Sequence, residues 1–181
     1  MDRVNQMIAD LIEREGAFVD HADDRGGATM YGITEQVARL NDFDGPMQHM
    51  PRSLAIAIYK DQYWSVPNFD RVAMIDKAIA EELMDTGVNM GVSIASKMLQ
   101  RSLNALNDKG THYGDILADG IIGNGTLGAL KSFLDYRGHT GQQVLLKALN
   151  CLQGARYIEI AESRERNESF VFGWLAHRVI I

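Results

Sequence analysis

The residues with the clearest chemical potential lie in one stretch, residues 15–34, which reads Glu15-Gly16-Ala17-Phe18-Val19-Asp20-His21-Ala22-Asp23-Asp24-Arg25-Gly26-Gly27-Ala28-Thr29-Met30-Tyr31-Gly32-Ile33-Thr34. Glu15 closes an apolar-periodic segment, so it is expected at the C-terminal end of a helix, where the helix dipole disfavours an anion. An apolar neighbour such as Phe18 would add desolvation in the same direction. A carboxyl group that keeps its proton near neutrality is what glycosidic-bond cleavage requires of its general acid. Asp24 follows nine residues on, across a turn-rich loop able to fold back toward Glu15. A second carboxylate there could activate water or stabilise positive charge on a sugar ring. Thr29 and Tyr31 are candidates to hold that water or a sugar hydroxyl, and the glycines allow a chain substrate close to the backbone. Two other readings compete: a solvated acidic turn, and a calcium loop. The calcium pattern fails, because Ala22 interrupts it and Tyr31 stands where the closing Glu belongs. No metal and no cofactor is expected.

The elements that must position this stretch are helical. Val4, Met7, Ile8, Leu11 and Ile12 recur at helical spacing and predict an amphipathic helix over residues 2–14, stopped by Gly16. The glycines then make residues 16–34 a loop or short hairpin. Thr34 is placed to cap a helix through Leu40. Ser53 is placed to cap another that leads to Tyr63 and Trp64 and ends at Pro67. Further helices are predicted over 73–89 and 93–106, followed by a polar, Gly-rich connector over 109–126. Thr126 is expected to cap the next helix, a long one follows over 141–163, and Asn167 begins the last, with Trp174 in its core face. The fold class is mainly α, with a short Gly-rich hairpin or loop after helix 1. Gly91 is the best boundary, dividing the chain into residues 1–91 and 92–181.

Composition narrows the class. A chain of 181 residues with 46% hydrophobic residues can bury an ordinary core. The net charge of −6 argues against nucleic acid as partner. It is unevenly spread: residues 1–91 hold 8 Lys+Arg against 16 Asp+Glu, and residues 92–181 hold 10 against 8. The first part is therefore carboxylate-rich, while the second leans weakly toward an anionic polymer. Cys151 is the single cysteine, so no intramolecular disulfide can form. Its neighbours Leu149 and Leu152 predict a buried, structural thiol. No apolar run approaches a membrane span, and the polar N-terminus does not read as a secretory signal. A monomer without membrane insertion, made in the cytoplasm, is expected.

Several segments in order carry a resemblance. Glu15-Gly16-Ala17-Phe18, the Asp23-Asp24-Arg25 turn, Gly26-Gly27-Ala28-Thr29 and Gly32-Ile33-Thr34 resemble the signature of glycoside hydrolase family 108, with Ala17 in place of a Gly and Phe18 in place of a Tyr. Tyr59-Lys60-Asp61-Gln62-Tyr63-Trp64 is similar to the family's Tyr-x-x-x-Tyr-Trp helix end. Asp85-Thr86-Gly87-Val88-Asn89-Met90-Gly91 is similar to its Asp-x-x-x-Asn-x-Gly segment. Asp119-Gly120-Ile121-Ile122-Gly123, Thr126-Leu127, Gly173-Trp174-Leu175 and Arg178-Val179 resemble a peptidoglycan-binding-like C-terminal part.

The resemblance implies a lysozyme-like helical fold: a catalytic part over 1–91 and a helical peptidoglycan-binding-like part over 92–181. It implies a muramidase akin to phage endolysins and to enzymes that assist toxin export, with Glu15 as catalytic residue and bacterial peptidoglycan as partner, released from the bacterial cytoplasm to the periplasm or cell wall by a holin-type or other route. The expected reaction is hydrolysis of the β-1,4 bond between N-acetylmuramic acid and N-acetylglucosamine. Asp24 and Thr29 would assist, and Tyr31, Tyr63, Trp64, Asp85 and Asn89 would contact substrate. Tyr63 and Trp64 also fit a core role, and Asp85 with Asn89, one helical turn apart, also fit a helix lock. A wall-binding module without chemistry and a lytic transglycosylase are the alternatives.

Overall fold

The computed structural model describes residues 3–16, 18–19 and 28–179. The chain forms two compact units, Met1–Val66 and Pro67–Ile181, and is mainly α.

In the first unit, α1 (Arg3–Glu15) buries Val4, Ile8, Leu11 and Ile12, the single stripe that their spacing dictates. Gly16 ends it in a left-handed conformation (φ +82°), its N–H still bonded to the Ile12 carbonyl at 3.3 Å. This is the usual glycine stop of a helix. Strands β1 (Thr29–Met30) and β2 (Ile33–Thr34) pair antiparallel, Thr29 opposite Thr34 and Met30 opposite Ile33. The two turn residues between them, Tyr31 and Gly32, both have positive φ (55° and 75°), as a tight type I′ hairpin turn requires. Thr34 caps α2 (Glu35–Leu40) as its position predicts, its hydroxyl accepting from the Val37 N–H at 3.3 Å. A 3-10 turn at Met47–His49 leads to α3 (Arg52–Lys60), which packs on α1. Pro51, not Ser53, stands at the start of α3; its φ of −70° suits a helix entrance. The chain then widens into a π-helical turn, Asp61–Ser65, which carries Tyr63 and Trp64.

The second unit contains α4 (Phe69–Ala73), α5 (Lys77–Met90), α6 (Val92–Ala105), α7 (Asn124–Ser163) and α8 (Glu168–Arg178). The helix expected over 73–89 is α5, which starts at Lys77 because Asp76 turns extended and its carboxylate caps the Ile79 N–H at 3.0 Å; the short α4 precedes it. Helix α5 lies among α4, α6 and α7. Gly87 permits the closeness, since a Cβ there would sit 3.3 Å from both Phe69 and Val92. Thr126 does not cap a helix; α7 begins two residues earlier and buries it. The two helices expected in this region are the two parts of α7, separated at Gly138, which leaves helical geometry (φ 56°, ψ −148°). Cys151 is exposed, not buried. Successive helix residues turn by about 100°, so a position two beyond the buried Leu149 faces away from the core.

The connector between α6 and α7 is irregular in backbone but fastened by one polar stripe of α6 and its end. The Gln100 side chain is fully buried; its Nε2 donates to Asp119, Ile121 and Thr126, and its Oε1 accepts from the Gly120 N–H at 2.8 Å. Asn104 pairs with both backbone groups of Ile116 at 2.8 and 2.9 Å. Asn107 donates to Asp115 and accepts from the Gly110 N–H. Gly120 (φ +85°) is required here, as a Cβ would lie 2.8 Å from the Ser93 carbonyl oxygen. The hydrogen bonds from Gln100 and the Ile121 N–H hold the Asp119 carboxyl below its ordinary range.

Candidate active site

Glu15 is the last residue of α1, and its residue surface is exposed. Its stem rests against the hairpin turn of the same unit. A Cβ built on Gly32 would fall 2.9 Å from both Cβ and Cγ of Glu15 and 2.7 Å from the Tyr59 hydroxyl. The turn backbone, Glu15 and Tyr59 thus meet at a point where only glycine fits. The Tyr59 hydroxyl donates to the Tyr31 carbonyl at 2.7 Å, joining α3 to the turn. Tyr59 itself is 6% exposed.

A second phenol completes the cluster. The rings of Tyr59 and Tyr63 are 6.1 Å apart and inclined by 31°. Tyr63 sits on the π-helical turn, whose extra residue changes the direction of its side chain relative to α3; such widened turns recur at functional sites. Burial and then the charge of Glu15 push the Tyr59 hydroxyl up to about 12, with a smaller contribution from Tyr63. Burial and Glu15 also push Tyr63 up. Both phenols thus lie within the field of the Glu15 carboxylate.

Of the residues singled out in the sequence, this unit brings Glu15, Tyr31 and Tyr63 into one cluster. Tyr31 takes part through its carbonyl and the turn that it shares with Gly32. Thr29 is in the same hairpin, one strand removed. Its backbone pairs with Val19 (2.9 and 2.8 Å), and its hydroxyl is 3.5 Å from the Val19 carbonyl oxygen. Trp64 follows Tyr63 and is half-buried. Phe18, the apolar flank expected for Glu15, is 37% exposed; the tyrosines supply that surface. Asp24, together with Asp20, His21 and Asp23, lies outside the described residues. Tyr59 stands in the sequence as the first residue of the Tyr-x-x-x-Tyr-Trp segment without a site role of its own, though its four-residue spacing from Tyr63 marks a shared helix face.

Asp85 and Asn89 belong to the second unit. Asp85 accepts from Arg178 at 2.8 Å and from Gln153 at 3.3 Å, and Gln153 also reaches Thr86 at 3.0 Å. Asn89 donates back to the Asp85 carbonyl at 2.6 Å. These bonds tie α5 to α7 and α8. Trp174 is half-buried, stacked on Tyr157 with ring centroids 5.1 Å apart. Among the described residues no group of three His, Cys, Asp or Glu side chains is arranged to hold a metal ion, and no helix is long and apolar enough to cross a membrane.

The chain is thus mainly helical, with an exposed carboxyl at the end of its first helix backed by the buried Tyr59 and the half-buried Tyr63. Residues 8–91 match the family described as Glycosyl hydrolase 108, and residues 94–179 match the Predicted Peptidoglycan domain. The first region of the chain is thus similar to the glycosyl hydrolases of family 108, and the second to a peptidoglycan-type domain. The hydrolase match extends beyond the first compact unit to take in α4 and α5. The fold is similar to the solved structure of SagA from Brucella abortus, with a TM-score of 0.51 and 21% identity over 98% of each chain. No curated protein matches the chain.

Proposed function

We propose that the protein is a muramidase: it hydrolyses the β-1,4 bond between N-acetylmuramic acid and N-acetylglucosamine in bacterial peptidoglycan, with Glu15 as general acid. The reading is carried by the placement of Glu15, at the end of α1 and against the Gly32 turn beside Tyr59 and Tyr63, inside the glycosyl hydrolase match. A polymeric glycan cannot enter a closed cavity, so its acid must stand at an accessible surface, as Glu15 does.

In the reaction, Glu15 gives its proton to the bridging oxygen while the bond from that oxygen to C1 of the muramic acid breaks. The glucosamine leaves with a new hydroxyl. Water adds at C1, and its proton passes to a second carboxylate, the role assigned to Asp24, with the Thr29 hydroxyl orienting the water. Tyr63 and Trp64 offer aromatic faces to sugar rings, and the C-terminal domain holds the wall polymer.

Mass spectrometry of purified sacculi after digestion tests the bond and the chemistry. New reducing ends on muramic acid are expected. Anhydro-muramic ends would replace hydrolysis with transglycosylation, reducing ends on glucosamine would move the cut to the other linkage, and bound but intact glycan would reduce the protein to a binder.

A further inference from the structure

We propose that Tyr59 is a positioning residue for Glu15: its buried hydroxyl pins the Tyr31–Gly32 turn against the stem of the acid and holds the carboxyl in one orientation. The inference rests on the reading of Glu15 as general acid.

Three observations combine. The Tyr59 hydroxyl donates to the Tyr31 carbonyl at 2.7 Å across 28 positions of sequence. The turn that it grips has left-handed backbone at both Tyr31 and Gly32, a conformation disfavoured for a residue with a side chain, as Tyr31 is, and so needs an anchor. The anchored turn meets Glu15 without clearance, since the Gly32 Cβ position is 2.9 Å from Cβ and Cγ of the acid and 2.7 Å from the hydroxyl. The contact reaches the stem of Glu15, which sets the direction of the carboxyl, and leaves its surface exposed for substrate. A tyrosine that only filled the core would need no hydroxyl at this point. Orientation of an acid is worth rate, because proton transfer to the leaving oxygen is effective only from hydrogen-bond distance.

The test is Tyr59→Phe, which keeps the ring and removes the anchor. In the wild-type protein, the Hα–Hβ couplings of Glu15 measured by NMR should report a single staggered rotamer. In the folded variant they should average, and kcat on soluble, uncrosslinked peptidoglycan strands should fall about tenfold with KM unchanged, the kinetic equivalent of one neutral hydrogen bond. A role in stability alone would lower the denaturation midpoint and leave couplings and kcat as they were; that result overturns the proposal. If Tyr59→Phe does not fold, averaged Glu15 couplings in the wild-type protein overturn it equally. A Glu15→Gln variant that still cleaves at the wild-type rate would instead remove the assignment of the acid and leave the rotamer result standing, so the two failures are separable.

Discussion

The carboxylate of Asp85 on α5 and the guanidinium of Arg178 at the end of α8 meet at 2.8 Å, across 93 positions of sequence. Both side chains are largely withdrawn from water, with 19% and 25% of their surface exposed. An ion pair in such a place is costly to break, because the abandoned charge stays partly desolvated. Asp85→Asn should therefore lower stability by about 1–3 kcal/mol, read as a shift in the denaturant midpoint. An unchanged midpoint would show that the pair contributes nothing net.

Gln100 should behave as the fastener of the α6–α7 connector. Gln100→Ala strips the Gly120 N–H and the Ile121 carbonyl of their partner, at a cost of about 2–4 kcal/mol for a buried group with several bonds. Hydrogen exchange at the Gly120 amide should accelerate. Unaltered protection there would contradict the assignment.

Gly32→Ala should damage activity beyond its effect on folding. The left-handed backbone alone costs about 1–2 kcal/mol, and the added methyl collides with Glu15 and the Tyr59 hydroxyl. The turn must move away from the acid. Wall clearing per folded molecule, with the folded fraction taken from circular dichroism, should fall; full specific activity would show that the contact is incidental.

These features differ in how far they could be read beforehand. Helix α1 was legible because Val4, Ile8, Leu11 and Ile12 repeat at the helical period and Gly16 follows. The break at Asp76 was not, since Ile75 and Ile79 carry the apolar pattern across it, and the cap bond from Asp76 to Ile79 has no periodic signal. The sequence neighbours of Cys151 point to burial, whereas its face of the helix leaves it exposed. Within the candidate site, the acid at position 15 stands out by its place at a helix end. The meeting of Gly32 with Glu15 and Tyr59 depends on a hydrogen bond between α3 and the turn, a contact that spacing along the chain cannot reveal.

Alkaline titration offers an independent check on the tyrosine cluster. Tyr59 and Tyr113 are pushed up to about 12, in both cases chiefly by burial, and Tyr63 is pushed up from its ordinary 10.0. A fold that raises these values favours the neutral phenol. Its contribution to stability is complete below pH 10 and is lost as the pH climbs toward 12. Phenolate absorbance of the native protein should accordingly lag that of the urea-unfolded chain in this interval. Coincident curves would place the tyrosines in water.

The central claim concerns a single proton donor, and the most direct measurement is the initial rate at which purified Glu15→Gln protein clears sacculi. The amide keeps the size and hydrogen-bonding capacity of the side chain and cannot release a proton to the bridging oxygen. With circular dichroism and denaturation midpoint matching the wild type, its rate should fall by at least about a hundredfold, the usual worth of general acid catalysis. A correctly folded Glu15→Gln protein that clears at the wild-type rate would contradict the account.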